Sequence, residues 1–339
     1  MPAPLPVLHP SAWLAPVMAA DPQWRIAFSP SQQAEIRAAL ESARARGHRL
    51  VDIGIDTFPL PGLARLLAEV GQELYCGRGF VLLRGFPVSG LSIEDAELMF
   101  CGLCVHLGMP VSQNARKEFF AQITDNGPPS NGFARGYATN REARFHIDLT
   151  DVVGLLCLRQ AKAGGISRIA SSITILNAMI AERPDLLPIL MAGFQWDRRY
   201  ENAPDESPIG PKIPVFSACN GVWTCRYNRS FIESAFRRQN QAVPALAVEA
   251  FDFIDAAALR PENMLEMDFQ PGDIQLLSND TVLHARTEFQ DHPEPDRKRL
   301  LLRAWLQMAN PRPLANSETL RHAFVQYGQL GRALKELAA

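Results

Sequence analysis

Residues 145–159 read FHIDLTDVVGLLCLR. The second half, Val152–Arg159, is short and almost wholly apolar, which predicts a strand. The first half, Phe145-His146-Ile147-Asp148, places an imidazole and a carboxylate two residues apart. In an extended chain, side chains two apart project to one side, with Cα atoms about 6.6 Å apart. His146 and Asp148 can therefore reach a single ion. A His-x-Asp triplet also arises by chance in surface loops, so a third ligand is needed.

Working outward, short apolar runs bounded by glycine turns recur. Gly79–Gly85 (GFVLLRG), Ile166–Ser171 after Gly164-Gly165, Val222–Tyr227, Asp273–Leu277 after Pro271-Gly272, Thr281–His284 after Asn279-Asp280, and Leu300–Leu306 all read as extended. Helices are expected between them. Ser29-Pro30 starts one that Gly47 stops near Arg46, and others are Leu63–Tyr75, Ile93–Leu107, Ile175–Arg183 halted by Pro184, and Val243–Leu259. The mixture predicts an α+β chain with a mainly β core, a β-sandwich or jelly roll with flanking helices, rather than a regular βαβ alternation. No glycine-rich nucleotide fingerprint follows a strand.

The composition fits an ordinary globular chain. Of 339 residues, 47% are hydrophobic and 21% charged. Lys and Arg number 34 against 36 Asp and Glu, a net charge of −2, which argues against a nucleic-acid partner. No apolar run reaches the roughly 18 residues of a spanning helix. The six cysteines are dispersed, and the N-terminus lacks a basic start followed by a long apolar stretch, so a reduced, cytoplasmic setting is expected. Cys101 and Cys104, on an apolar helix with no second pair, read as buried structural cysteines rather than a zinc or redox pair.

Of the seven histidines, six besides His146 could complete the ion site. His284 lies in an apolar strand, His9 in the N-terminal tail, His48 beside a helix end, and His292 in a charged loop, while His106 and His322 fall in helices. Two histidines and a carboxylate on a β scaffold make the facial triad of non-haem iron oxygenases, which leaves open positions on the metal. A counter-charge for an anionic cosubstrate is at hand in Arg297–Arg303 (RKRLLLR). On a strand, Arg299, Leu301, Arg303 and Trp305 share one face, with the two guanidinium groups about 13 Å apart along it. Arginines set in an apolar strand either pair with anions or lie on a solvated edge.

At this point the chain resembles the TauD/TfdA group of Fe(II)- and 2-oxoglutarate-dependent dioxygenases, in the clavaminate-synthase-like superfamily. The matching residues are Arg135–Asn140, Phe145–Asp148, Asp151–Arg159, Gly164–Ser167, Cys225–Arg229, Gln270–Asp273, Thr281–His284 and Arg299–Arg303, and the likeness spans about 75–310. The resemblance implies a double-stranded β-helix (jelly roll) holding one Fe(II) on His146, Asp148 and His284. It implies that Arg299, helped by the Ser167 hydroxyl, takes the distal carboxylate of 2-oxoglutarate, and that Arg303 meets a substrate anion. The implied reaction uses O₂, decarboxylates 2-oxoglutarate to succinate and oxidises a C–H bond of a small polar, anionic metabolite of secondary metabolism. Hydroxylation leads, with desaturation, epoxidation and ring closure as other outcomes. The carboxylate at Asp148 argues against halogenation, because halogenating relatives carry a small residue there.

Other residues have two readings each. Asn140 faces the pocket or caps a turn. Arg226 and Asn228 line the substrate cavity or pair on a strand surface. Thr150 touches substrate or does not, and Trp305 is a pocket wall or core. Residues 124–143 and 197–214 are the lid candidates. The expected organisation is 1–74 as an N-terminal extension with covering helices, 75–312 as the dioxygenase domain and 313–339 as a helical tail that covers the body or a neighbouring subunit of a homo-oligomer. Two alternatives stay open: a non-catalytic 2-oxoglutarate-binding protein, and a cupin-like metal hydrolase or isomerase.

Overall fold

A computed structural model describes residues 5–114, 118–125, 139–198 and 207–313. The chain begins with α1 (Ala15–Ala20), β1 (Arg25–Ala27), α2 (Pro30–Ala45), α3 (Ala64–Tyr75), β2 (Phe80–Arg84), α4 (Ile93–Cys104), β3 (Met109–Val111) and β4 (Phe120–Ile123). It continues through β5 (Ala143–His146), β6 (Val152–Arg159), β7 (Ala163–Gly164), β8 (Ser167–Ser171), α5 (Ser172–Glu182), α6 (Leu187–Ala192), β9 (Phe194–Asp197), β10 (Ile209–Ile213), β11 (Phe216–Cys219), β12 (Val222–Cys225), α7 (Arg229–Arg238) and α8 (Ala245–Ala258). Then come β13 (Met264–Met267), β14 (Ile274–Ser278), β15 (Val282–Arg286), β16 (Phe289–Gln290) and β17 (Leu300–Gln307).

Two sheets face each other. The larger runs β1-β2-β14-β6-β17-β3, with β4 also paired to β17, and the smaller runs β13-β8-β15-β5. Apart from the parallel β1–β2 pair, their ladders are antiparallel. This is the jelly roll with flanking helices that the turn spacing predicts.

Alternation along each strand sorts residues between the inside and the covers. On β17, Leu302, Ala304 and Leu306 join the core under α2, α3 and α4, whereas Leu301 and Trp305 face the space between the sheets. On β15, Leu283 and Ala285 lie under α5 and α8, and Val282 faces inward. The inward rungs also carry His284, Arg286, Arg299 and Arg303, which are buried. The interior is therefore apolar at one end and polar at the other.

Local signals explain the helix ends. Ser29 caps α2 in a capping box with Gln32, and Gly47, at φ 70, ends it. Several expectations need correction. The α4 helix stops at Cys104 rather than Leu107, because the Met109–Val111 strand follows and Pro110 pairs with Leu306 at the sheet edge. The α5 helix begins three residues early, at Ser172, because the Ser171 hydroxyl accepts from the Thr174 amide. As expected, α5 ends just before Pro184, at Glu182, and Pro184 then opens a turn that leads into α6. Residues 209–213, assigned to a loop, form β10 against β9 with a register slip between Ile209 and Lys212. The proposed tail helix at 318–337, His322 and most of the 124–143 lid candidate lie outside the described residues. Cys101 and Cys104 are buried in α4, and burial pushes both thiols far above their ordinary value.

Candidate metal centre

His146 closes β5 and His284 lies on β15, and the two are directly opposed in the ladder. Cross-strand neighbours on one face lie within reach of each other. Their ring centroids are 4.3 Å apart. Phe145 and Ile147 turn outward into the core beneath α5 and α8, which turns His146 and Asp148 inward. One ligand atom from each of His146, Asp148 and His284 lies within 4.8 Å of the other two. Among the described residues this is the one such cluster of His, Cys, Asp and Glu. His9 instead bonds Ser11, and His106 bonds the Phe58 carbonyl.

The donor set fits a divalent metal. The Nδ1 of His146 is 2.8 Å from the Arg144 carbonyl, so that nitrogen carries the proton and Nε2 is left as a lone pair. His284 presents Nε2 to Asp148 at 3.9 Å. Burial, and next the His146 ring, bring His284 down to about 3 against the pull of Asp148, so it is neutral at physiological pH. Burial alone would raise the Asp148 carboxyl. Arg303, both imidazoles and Trp305 outweigh it and hold the group below the usual carboxylate value. A neutral His284 imidazole beside an ionised Asp148 carboxylate is the ligand form a metal requires.

Asp148 is also the best-held residue of the three. Arg303 Nη1 lies 3.3 and 3.1 Å from its two oxygens, and the Trp305 indole donates to Oδ2 at 2.9 Å. Its amide donates to the Asn279 side chain at 2.9 Å. Gln113 in turn grips Arg303 twice: its Oε1 accepts from Nε at 2.7 Å and its Nε2 donates to the Arg303 carbonyl at 2.6 Å. So Arg303 and Trp305, expected at the substrate, meet the carboxylate of the cluster. Neither Gln113 nor Asn279 stood out in the sequence. A buried amide two loops away from its partner leaves no periodic signal.

Arg299 is 4% exposed, and its Nη1 is buried with no hydrogen-bond partner. Its guanidinium lies 5.1 Å from the Phe289 ring centroid, and among the described residues it makes no ion pair. Burial brings it down to about 10, with Cys157 and Asp291 opposing. It remains a cation at neutral pH. Gly165, at φ 72, makes room for it: a Cβ there would stand 3.0 Å from Arg299 Nε. Ser167 also faces inward, but its hydroxyl donates to Gln275 at 3.1 Å. A cavity of about 220 Å³, lined in part by Arg299, Gly165, Cys157 and Phe269, opens beside the guanidinium.

The remaining expected site residues are engaged in scaffolding. Arg226, 1% exposed, pairs with Asp280 and donates to the Cys225 and Asn279 carbonyls. It braces the turn at Asn279-Asp280 that holds Asp148. Asn228 caps α7 through the Phe231 amide. Thr150 donates to the Leu306 carbonyl at 2.8 Å. Asn140 is half-buried, and its carbonyl accepts from the Phe289 amide at 3.1 Å.

Comparison with known proteins agrees with this geometry. The profile of a family described as taurine catabolism dioxygenase TauD, TfdA family, matches residues 42–305. FR-33289 synthase of Streptomyces rubellomurinus (strain ATCC 31215) is 32% identical over 317 residues, 92% of this chain and 93% of that protein. An asparagine oxygenase solved with Fe(II), 2S,3S-3-hydroxyasparagine and succinate shares the fold at a TM-score of 0.66 and 18% identity, over 84% of this chain and 93% of that one. The non-haem iron oxygenase OrfP, solved with Fe and alpha-ketoglutaric acid, shares it at a TM-score of 0.59 and 16% identity, over 84% and 94%.

Proposed function

The chain belongs to the TauD/TfdA family of dioxygenases, and from that premise we propose that His146, Asp148 and His284 hold the iron and that Arg299 takes the distal carboxylate of 2-oxoglutarate. The enzyme is an Fe(II)- and 2-oxoglutarate-dependent dioxygenase acting on a small molecule. Its substrate, in our reading, is a small polar metabolite with an anionic group, hydroxylated at an unactivated C–H within secondary metabolism. The observation behind the residue assignments is the joint occurrence of a convergent His-Asp-His cluster and a buried guanidinium that makes no ion pair among the described residues.

When bound, Fe(II) supplies the O₂ chemistry that couples decarboxylation of 2-oxoglutarate to oxidation of the substrate. The protein's own residues prepare for it. Arg144 fixes the His146 tautomer. Arg303 and Trp305 orient the Asp148 carboxylate and keep it ionised, while Asn279 holds its backbone amide. Leu301, Val153 and Ile169 keep the interior dry, which strengthens every charge interaction within it. Arg303 is the residue we assign to a substrate anion as well. Its guanidinium presents a planar fork of donors at the centre, beside Asp148. The named relatives include an oxygenase bound to a hydroxylated amino acid, which supports a small zwitterionic or acidic substrate here. We further read the enzyme as cytoplasmic and residues 1–74 as a cover for the dioxygenase domain. No helix among the described residues is long and apolar enough to cross a membrane.

The test is anaerobic titration. Fe(II) and 2-oxoglutarate added together should give a visible charge-transfer band that neither gives alone. On admitting O₂ with a substrate, succinate should appear. His146→Ala should abolish the band, and Arg299→Gln should weaken 2-oxoglutarate binding while sparing Fe(II). A wild-type protein that shows no band, or that turns over without 2-oxoglutarate, refutes the assignment.

A further inference from the structure

Arg286 belongs to no role assigned so far. It lies on β15 two residues past His284, on the same inward face, and its cross-strand neighbour on β8 is Ser167. One such step along a strand is about 6.6 Å. That is roughly the reach of a five-carbon keto diacid from its chelating head to its distal carboxylate. Arg286 thus occupies the rung beside the place where that carboxylate ends.

Its partners are unusual for a buried cation. It is 8% exposed, and among the described residues it makes no ion pair. One Nη2 donates to the backbone carbonyls of Thr139, at 2.8 Å, and of Arg141. The Nε is buried with no hydrogen-bond partner. Its guanidinium carbon lies 4.8 Å from the Phe289 ring centroid, and that of Arg299 lies 5.1 Å from the same centroid. The Phe289 amide bonds the Asn140 carbonyl, so residues 139–141 are fastened from both Arg286 and Phe289. Two buried guanidinium groups share one aromatic ring, and among the described residues neither makes an ion pair. Such a pair is costly until an anion enters.

We propose that Arg286 is a positioning residue for the cosubstrate: through Phe289 and the 139–141 backbone it fixes Arg299, and its charge raises the pocket's preference for a dicarboxylate over a monocarboxylate keto acid. The inference rests on the 2-oxoglutarate reading above. It concerns charge and orientation, not metal ligation.

The experiment uses full-length protein loaded anaerobically with Fe(II). The Kd of 2-oxoglutarate and that of 2-oxobutyrate, which has the same keto-acid head and no distal carboxylate, are measured for wild type, Arg286→Gln and Arg286→Lys. Loss of one nearby charge should weaken 2-oxoglutarate about tenfold in Arg286→Gln, and less in Arg286→Lys, which keeps the charge and loses the fork. Binding of 2-oxobutyrate should change less than about twofold, because it makes no distal ion pair. Fe(II) affinity and melting temperature identify any variant that merely misfolds. Equal losses for both keto acids, or no loss in Arg286→Gln, overturn the proposal. Absence of binding in the wild type removes the 2-oxoglutarate reading and this inference together, whereas a wild-type band with an unchanged variant removes this inference alone.

Discussion

At the scale of single residues, the centre is a set of groups kept in the protonation states that a cation needs. His284 shows what that costs the metal-free protein. In the unfolded chain it takes a proton near its ordinary value of 6.5, but in the folded protein burial defers this to about 3. The sign follows: between those values the unfolded state binds more protons, so folding stability falls as pH falls, and above 6.5 the term is constant. Asp148, held low, adds a loss in the same direction once the pH drops below its unfolded value of 3.8. For the metal-free enzyme, urea unfolding should lose up to roughly 1 kcal/mol per pH unit from His284 in this window. His284→Gln should flatten that part of the profile. Profiles of equal slope in wild type and variant would show that His284 titrates normally and that the pocket is wetter than its burial implies.

At the scale of elements, β17 joins the fold to the chemistry. Its outward face packs Leu302, Ala304 and Leu306 under the N-terminal helices, and its inward face carries Arg299, Arg303 and Trp305. Leu302 is fully buried, so Leu302→Ala should lose about 2–5 kcal/mol of stability. Because Leu302 points away from the centre, that variant should keep the 2-oxoglutarate affinity of wild type wherever it remains folded. A denaturation midpoint that falls together with a weakened Kd would instead mean that the strand face and the pocket are coupled. That β17 and β6 are strands was readable in the residues, because a short, almost wholly apolar run bounded by turn residues suits a strand covered on both faces. The two-residue spacing likewise put His146 and Asp148 on one side of an extended chain. The β9–β10 ribbon was not readable, since Gly210 and Pro211 mark a loop unless a partner strand is known. The pairing of Arg303 with Asp148 was equally hidden. It spans 155 residues of sequence, and only the closing of one sheet over the other brings them together. The acid partner of Arg226, Asp280, was hidden for the same reason, since the two are distant in sequence.

At the scale of the whole molecule, the cluster stitches the two sheets. His146 and His284 belong to the smaller sheet, while Asp148 is fastened by Arg303 and Trp305 from the larger one. An ion bound by all three ties the halves together, and ligand that binds only the folded state stabilises it by mass action. At one hundred times its Kd, Mn(II), a redox-quiet stand-in for Fe(II), should add about 2.7 kcal/mol, which corresponds to a rise of a few degrees in melting temperature for a chain of this size. Adding 2-oxoglutarate should raise the midpoint again, but only with metal present. The control variant is His146→Ala, because His146 is half-buried and its loss strands no charge. Removing Asp148 would leave Arg303 buried without its acid, a penalty of about 3–5 kcal/mol that would obscure the metal effect. A melting temperature indifferent to Mn(II), or raised equally in His146→Ala, would place the ion elsewhere and undo the bridge between the sheets.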